Sequence, residues 1–180
     1  MEQPRRRLRR EDKERMVRAI MHGCNGRMGR VITEMIEKEP EMEIVAGVDA
    51  YTGTPNTYPV FETIGACDVE ADVIIDFSTA SAADDLLAYA KEHKMALVLC
   101  TTGLSKEQIE KVGETAKETA VLRSANMSMG INLLLKLLRD ASKVLANAGF
   151  DIEIVERHHN QKLDAPSGTA LALADAVNDA

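Results

Sequence analysis

Residues 156–170, Glu-Arg-His-His-Asn-Gln-Lys-Leu-Asp-Ala-Pro-Ser-Gly-Thr-Ala, hold the densest chemistry in the chain. His158 or His159 can move a proton near neutral pH. Lys162 is a compact cation with three donors. Ser167, Gly168 and Thr169 follow Pro166 and precede an apolar run over 170–174. That order reads as a helix N-terminus, whose free backbone N–H groups attract carboxylate or phosphate. A proton donor, a cation and an anion cradle together point to an acidic substrate that gains a proton. The competing reading is a polar turn ahead of a helix, and the rest of the chain decides between them.

A second group of residues suits a nucleotide. Gly23, Cys24, Asn25, Gly26, Arg27, Met28 and Gly29 follow an apolar strand at 17–21 and open a helix over 27–38. Glycines there permit a tight turn and close approach of a pyrophosphate to the helix N-terminus. The spacing is G-x-x-G-x-x-G rather than the commoner G-x-G-x-x-G. Asp49 lies 20 residues past Gly29 at the end of a second strand, where a carboxylate accepts hydrogen bonds from ribose hydroxyls. Such a carboxylate admits NADH and repels a 2′-phosphate; Arg27 could offset this and hold NADPH.

The elements that must position these groups alternate between strand and helix. Strands are expected at 17–21, 43–48, 73–77, 96–100 and 121–122, and helices at 27–38, 80–93 and 105–118. Ser105 with Gln108 forms a capping-box pattern, and residues 50–66 read as loop because they hold two glycines and two prolines. Two strands, 73–77 and 96–100, are apolar throughout, as in parallel strands covered on both faces. The expected fold is therefore α/β, a doubly wound Rossmann-type parallel sheet. Asp76-Phe77-Ser78 and Cys100-Thr101-Thr102-Gly103 end the two strands, where ligands of open α/β sheets bind. Residues 124–128 mark a crossing into a second region, a suitable hinge and nicotinamide contact. Beyond it, Ser128 caps a helix ended by Gly149, a strand follows at 150–155, and a last amphipathic helix closes the sequence. That strand has no evident partner, so residues 126–180 read as the start of an α+β substrate domain. The expected divisions are 1–15, 16–125 and 126–180.

Composition bounds the remaining possibilities. The chain has 180 residues, 45% hydrophobic, 3% aromatic and no Trp, so one domain or slightly more is expected around an aliphatic core. Three Cys without a C-x-x-C pair argue against a disulfide framework or a zinc site and fit a reducing cytoplasm. No run approaches the length of a membrane span, and arginines after Met1 do not resemble a signal core. Residues 1–15 carry seven basic and four acidic side chains, and the rest of the chain therefore carries −10 of the total −7. An acidic body argues against nucleic-acid binding, and the basic stretch reads as a disordered extension. His22 and His93 read as structural, Met127 and Met129 as packing, and Cys24 and Cys100 as unreactive for want of a paired base.

Taken in order, these pieces resemble the dihydrodipicolinate reductase family of bacterial lysine and diaminopimelate synthesis. The resemblance rests on 23–29 (GCNGRMG), 76–78 (DFS), 101–103 (TTG), 125–128 (ANMS) and 156–170, and covers residues 17–180. It implies hydride transfer from NADH or NADPH to a cyclic dicarboxylate imine, with no metal. It implies that His158 is the general acid, that Lys162 binds and polarises the substrate, and that His159, Gly168 and Thr169 hold a carboxylate. It places nucleotide contacts at Gly23, Asn25, Gly26, Arg27, Met28, Gly29, Asp49, Phe77, Ser78, Thr101, Thr102, Gly103, Ala125, Asn126 and Met127. Cys100 stands where the family usually has Gly, and Ala125 where Pro is common. Family members continue past residue 180 to complete the second domain's sheet, through which they form homotetramers; for a chain ending at 180 neither activity nor the tetramer carries over automatically.

Overall fold

A computed structural model describes residues 16–124, 126–160 and 165–180. The expectations for residues 1–15, Ala125 and Lys162 lie outside the described residues. The chain divides into two compact units, Met1–Arg123 and Ser124–Ala180.

The first unit is a six-stranded parallel sheet in the order β3-β2-β1-β4-β5-β6. Its elements are β1 (Val17–His22), α1 (Arg27–Ile36), β2 (Met42–Val48), β3 (Val60–Phe61), β4 (Val73–Asp76), α2 (Ala83–Glu92), β5 (Ala96–Leu99), α3 (Lys106–Thr115) and β6 (Val121–Arg123). All five pairings are parallel, and β1 lies at the centre between β2 and β4. Strand order reverses direction at β1/β4, and there β1 ends on His22 directly opposite Asp76 of β4.

Alternation along each strand sorts side chains into two layers. Ile20, Ala46, Val48, Ile74, Leu97 and Leu99 form one core with Leu86, Leu87 and Ala90 of α2 and Val112 of α3. Met21, Ile44 and Ile75 face the other way, toward Ile32 of α1 and Tyr58. Burial on both faces was expected for the all-apolar strands. β4 and β5 instead alternate between buried and half-buried positions, whereas the end of β1 is buried throughout. One face of β4 and β5 is thus less deeply covered in this unit.

Local signals explain the helix ends. The Ser105 hydroxyl accepts the Gln108 N–H, and the Gln108 side chain accepts the Ser105 N–H, so the capping box is formed. The 50–66 loop expectation is corrected in one place: Val60 and Phe61 pair with Gly47 and Val48 as the short edge strand β3, followed by a 3-10 turn Ile64–Ala66. Two residues carry too little periodicity to stand out against the prolines around them.

The second unit contains α4 (Met129–Leu145) and α5 (Gly168–Asn178). Ser128 caps α4 through the Ile131 N–H, a 3-10 turn extends it, and Gly149 closes it in the left-handed conformation at φ 83°. The strand expected at 150–155 forms no ladder among the described residues. A strand needs neighbours to satisfy its backbone groups, and Phe150, Ile152, Ile154 and Val155 stand exposed. Among the described residues no helix is long and apolar enough to cross a membrane.

Candidate nucleotide and acid-substrate sites

The glycine loop joins β1 to α1, and its glycines have separable reasons. Gly23 adopts φ +80°, and a Cβ there would sit 2.6 Å from the Phe77 carbonyl oxygen. At Gly29 a Cβ would meet the Gly23 oxygen at 2.2 Å, so this glycine lets the helix pack onto the turn. Gly26 is the N-cap of α1 and offers no side-chain cap, and the first turn holds no acid. The opening N–H groups of α1 are therefore left for an anion. Arg27 and Met28, the first residues of that helix, are both exposed.

Asp49 lies across this loop. One carboxylate oxygen accepts the Asn25 N–H at 3.0 Å and the other accepts the Tyr51 N–H at 3.0 Å. The Asn25 side chain donates to the Tyr51 carbonyl and accepts from Asn56. Asp49 thus ties the glycine loop to residues 50–56 and retains lone pairs for a further donor. A cavity of about 290 Å³ opens beside it, lined among others by His22, Gly23, Gly26, Asp49, Phe77 and Ser78. Thr102 and Gly103 follow β5, with Gly103 at φ +75°.

Beneath the cavity lies a buried polar cluster that sequence reading did not assemble. Asp76 is 0% exposed. Its Oδ1 accepts from His22 Nδ1 at 2.8 Å, the Ser78 hydroxyl at 2.6 Å and the Ser78 N–H at 3.2 Å; its Oδ2 accepts the Thr101 hydroxyl at 2.6 Å. Burial pushes the Asp76 carboxyl up, but bonds from His22, Ser78 and Thr101 together outweigh it and leave it below the ordinary carboxylate range. Ser78 and Thr101 are expected to serve a nucleotide; in the structure their hydroxyls donate to Asp76. A polar residue closing an apolar strand was the only available signal.

The two thiols near the loop are buried and held in the protonated form at neutral pH. Cys24 is pushed up to about 11 by burial and then by the Asp49 charge, and Cys100 to about 11 by burial and then by Asp76. His93 caps the C-terminus of α2 and stacks on Tyr89 at 4.1 Å. Met127 and Met129 are exposed rather than packed. No group of three metal-ligating side chains occurs among the described residues.

In the second unit the helix start read from Ser167, Gly168 and Thr169 is present. Ser167 is the N-cap of α5, its hydroxyl accepting the Ala170 N–H at 3.0 Å. Glu156 connects this cap to His158: Oε1 accepts the Ser167 N–H at 2.8 Å, and Oε2 lies 3.4 Å from His158 Nδ1. His158 and His159 are exposed. Asn126 donates to the Thr169 hydroxyl at 3.1 Å and accepts the Ser128 N–H at 2.8 Å, joining the starts of α4 and α5. Glu156 and this joint role of Asn126 were missed; a Glu two residues before a His was the available signal.

Family comparison agrees with both halves. The model for the N-terminus of dihydrodipicolinate reductase matches residues 17–127, and that for its C-terminus matches residues 130–180. This chain belongs to the dihydrodipicolinate reductase family. The 4-hydroxy-tetrahydrodipicolinate reductase of Caldanaerobacter subterraneus subsp. tengcongensis is 52% identical over 163 residues, covering 91% of this chain and 64% of that protein. That of Clostridium tetani is 52% identical over 164 residues, with the same shares. The chain thus spans 64% of the length of these relatives. A solved dipicolinate-bound dihydrodipicolinate reductase from Paenisporosarcina sp. TG-14 aligns with a TM-score of 0.74 at 26% identity, over 91% of this chain and 66% of that one. The WlbA dehydrogenase of Bordetella pertussis, solved with NADH and UDP-GlcNAcA, shares the fold, with a TM-score of 0.55 at 14% identity, over 72% of this chain and 40% of that one.

Proposed function

We propose that this chain serves the NADH- or NADPH-dependent reduction of 4-hydroxy-tetrahydrodipicolinate to tetrahydrodipicolinate in lysine and diaminopimelate synthesis, in the cytoplasm. The reaction takes up one hydride and one proton and releases water. The observation that carries the reading is the link in the second unit between a proton-moving side chain, His158, and an anion-binding helix start through Glu156. The family relationship supports a cyclic dicarboxylate as that acid.

The residues present fit a dinucleotide. Gly23 and Gly29 allow the tight turn, the uncapped start of α1 suits a pyrophosphate, and Asp49 suits a ribose. When bound, reduced nicotinamide supplies the hydride. His158 supplies the proton that quenches the negative charge left by hydride addition. Gly168 and Thr169 at the start of α5, with His159, hold a substrate carboxylate. Lys162 binds and polarises the substrate. On an acidic protein, a dianionic substrate needs such a local cationic pocket. A homotetramer is the assembly proposed for the full-length family.

A second reading is favoured by one observation. Met129 (85% exposed), Leu133, Leu137 and Val144 of α4 turn apolar side chains outward. On this reading the chain binds nucleotide without turning substrate over. Nicotinamide oxidation by the purified chain separates the two, with substrate made in situ from pyruvate and aspartate semialdehyde by the preceding synthase. Oxidation above the synthase-free control is expected on the first reading. Nucleotide binding without oxidation would leave only the second.

A further inference from the structure

The Asp76 cluster lies at the point where the sheet's strand order reverses. His22 and Asp76 are the final register pair of β1 and β4, and Thr101 lies two residues beyond the end of β5. Ligands of open α/β sheets bind in the crevice at such a reversal, outside the carboxyl ends of the strands. One carboxylate here collects donors from three consecutive strand ends: His22 from β1, Ser78 after β4 and Thr101 after β5. Each of those residues begins or adjoins a loop at the crevice. Gly23 follows His22, Phe77 and Ser78 line the cavity that Gly26 and Asp49 also line, and Thr102 and Gly103 follow Thr101.

We propose that Asp76 is a positioning residue for the nicotinamide half of the nucleotide, fixing the loops that follow β1, β4 and β5 through His22, Ser78 and Thr101. The inference rests on the nucleotide reading above. A hydrophobic residue would fill the same volume but could not fix three separate strand ends at hydrogen-bond distance. A buried carboxylate with four hydrogen bonds of 2.6–3.2 Å sets both spacing and orientation, because charge-assisted bonds of this kind are stronger than those the same donors would make to a neutral partner. The adenosine half has independent supports, namely the start of α1 and the Asp49 contact to Asn25. The two halves of the ligand should therefore respond differently.

The test is direct binding of NADH and of ADP to the 180-residue chain, unsubstituted and as Asp76→Asn and Thr101→Val. Asp76→Asn keeps the shape, removes the charge and turns an NH₂ group toward at least one donor. Its NADH dissociation constant is expected to rise about tenfold, the equivalent of one hydrogen bond to a charged group, with ADP changed less than about twofold. Thr101→Val removes one of the four donors and should weaken NADH about threefold with ADP again unmoved. If Asp76→Asn does not fold, Thr101→Val decides. Equal weakening of NADH and ADP would reduce Asp76 to a general structural role and overturn the proposal, as would unchanged NADH binding in the variants. Failure of the unsubstituted chain to bind NADH would overturn the nucleotide reading itself, and is thereby distinguishable.

Discussion

Replacing Gly23 by Ala tests whether the glycine loop is dictated by backbone conformation, by space, or by both. Gly23 and Gly103 share a left-handed conformation, at φ +80° and +75°. They differ in surroundings. A Cβ at Gly103 meets nothing within 4 Å, whereas one at Gly23 falls 2.6 Å from the Phe77 oxygen, 2.8 Å from its carbonyl carbon and 3.0 Å from the Ser78 nitrogen. The conformational cost of an L-residue is about 1–2 kcal/mol at either site, reduced by about 0.4–1 kcal/mol because Ala restricts the unfolded chain. Gly103→Ala should therefore cost about 1 kcal/mol. Gly23→Ala adds about 1–3 kcal/mol of overpacking. That addition should fall in the upper part of the range, because the obstructing atoms are backbone at the end of β4 and cannot swing aside. The total is about 2–4 kcal/mol. With a urea slope of about 2 kcal/mol/M, the midpoint should fall by about 1–2 M for Gly23→Ala and about 0.5 M for Gly103→Ala. Unfolding should be followed by circular dichroism and by reactivity of Cys24, which is 1% exposed next to the substitution. Equal midpoint shifts would refute the argument, since they would show that the close approach to Phe77 carries no energy.

Asp49→Ala removes the acceptor for the Asn25 and Tyr51 N–H groups and the partner proposed for the ribose hydroxyls; NADH binding should weaken about tenfold and NADPH binding less, and equal weakening in titrations would argue against a ribose contact. Lys162→Ala should lower turnover about a hundredfold while leaving NADH affinity within about twofold; unchanged turnover would remove its proposed role. Glu156→Gln keeps an acceptor for the Ser167 N–H but takes the charge from beside His158. Turnover should fall about tenfold with KM for the nucleotide unmoved, and a rise in that KM alone would count against the pairing. Cys24 and Cys100 are raised from 9.0 to about 11. The folded state holds those protons more tightly than the unfolded chain, so the associated stability is complete below pH 9 and is lost as pH climbs toward 11. Urea midpoints of the Cys24→Ser variant should decline less over that window than those of the parent; parallel declines would assign the loss elsewhere.

Much of the first unit is legible from local signals because those signals and the fold agree. Apolar runs at 73–76 and 96–99 become adjacent parallel strands, and Ser105 with Gln108 starts α3 where the capping pattern placed it. β3 is not legible, since its two residues owe their extended form to pairing with β2 rather than to any pattern of their own. The half-buried face of β4 and β5 is invisible for a related reason: apolar composition says what a strand tolerates, and only the positions of the helices say which face they cover. Residues 150–155 show the converse. Their composition favours a strand, yet extended chain becomes a strand only when another supplies the ladder.

The sites divide along the same line. The turn at Gly23 and the helix start at Ser167 were legible because each acts on backbone close to it in sequence. Asp76 was not, because its meaning depends on donors 54 residues before it and 25 residues after it. Read alone, it is an acid at the end of a strand, and burial should disfavour it. Side-chain hydrogen bonds from His22, Ser78 and Thr101 reverse that expectation and keep the carboxyl below its ordinary range. Local spacing finds the candidate groups for a ligand. The group that holds those loops in place becomes visible only when three strand ends are brought together, and it is there that a conservative change such as Asp76→Asn should separate the two halves of one nucleotide.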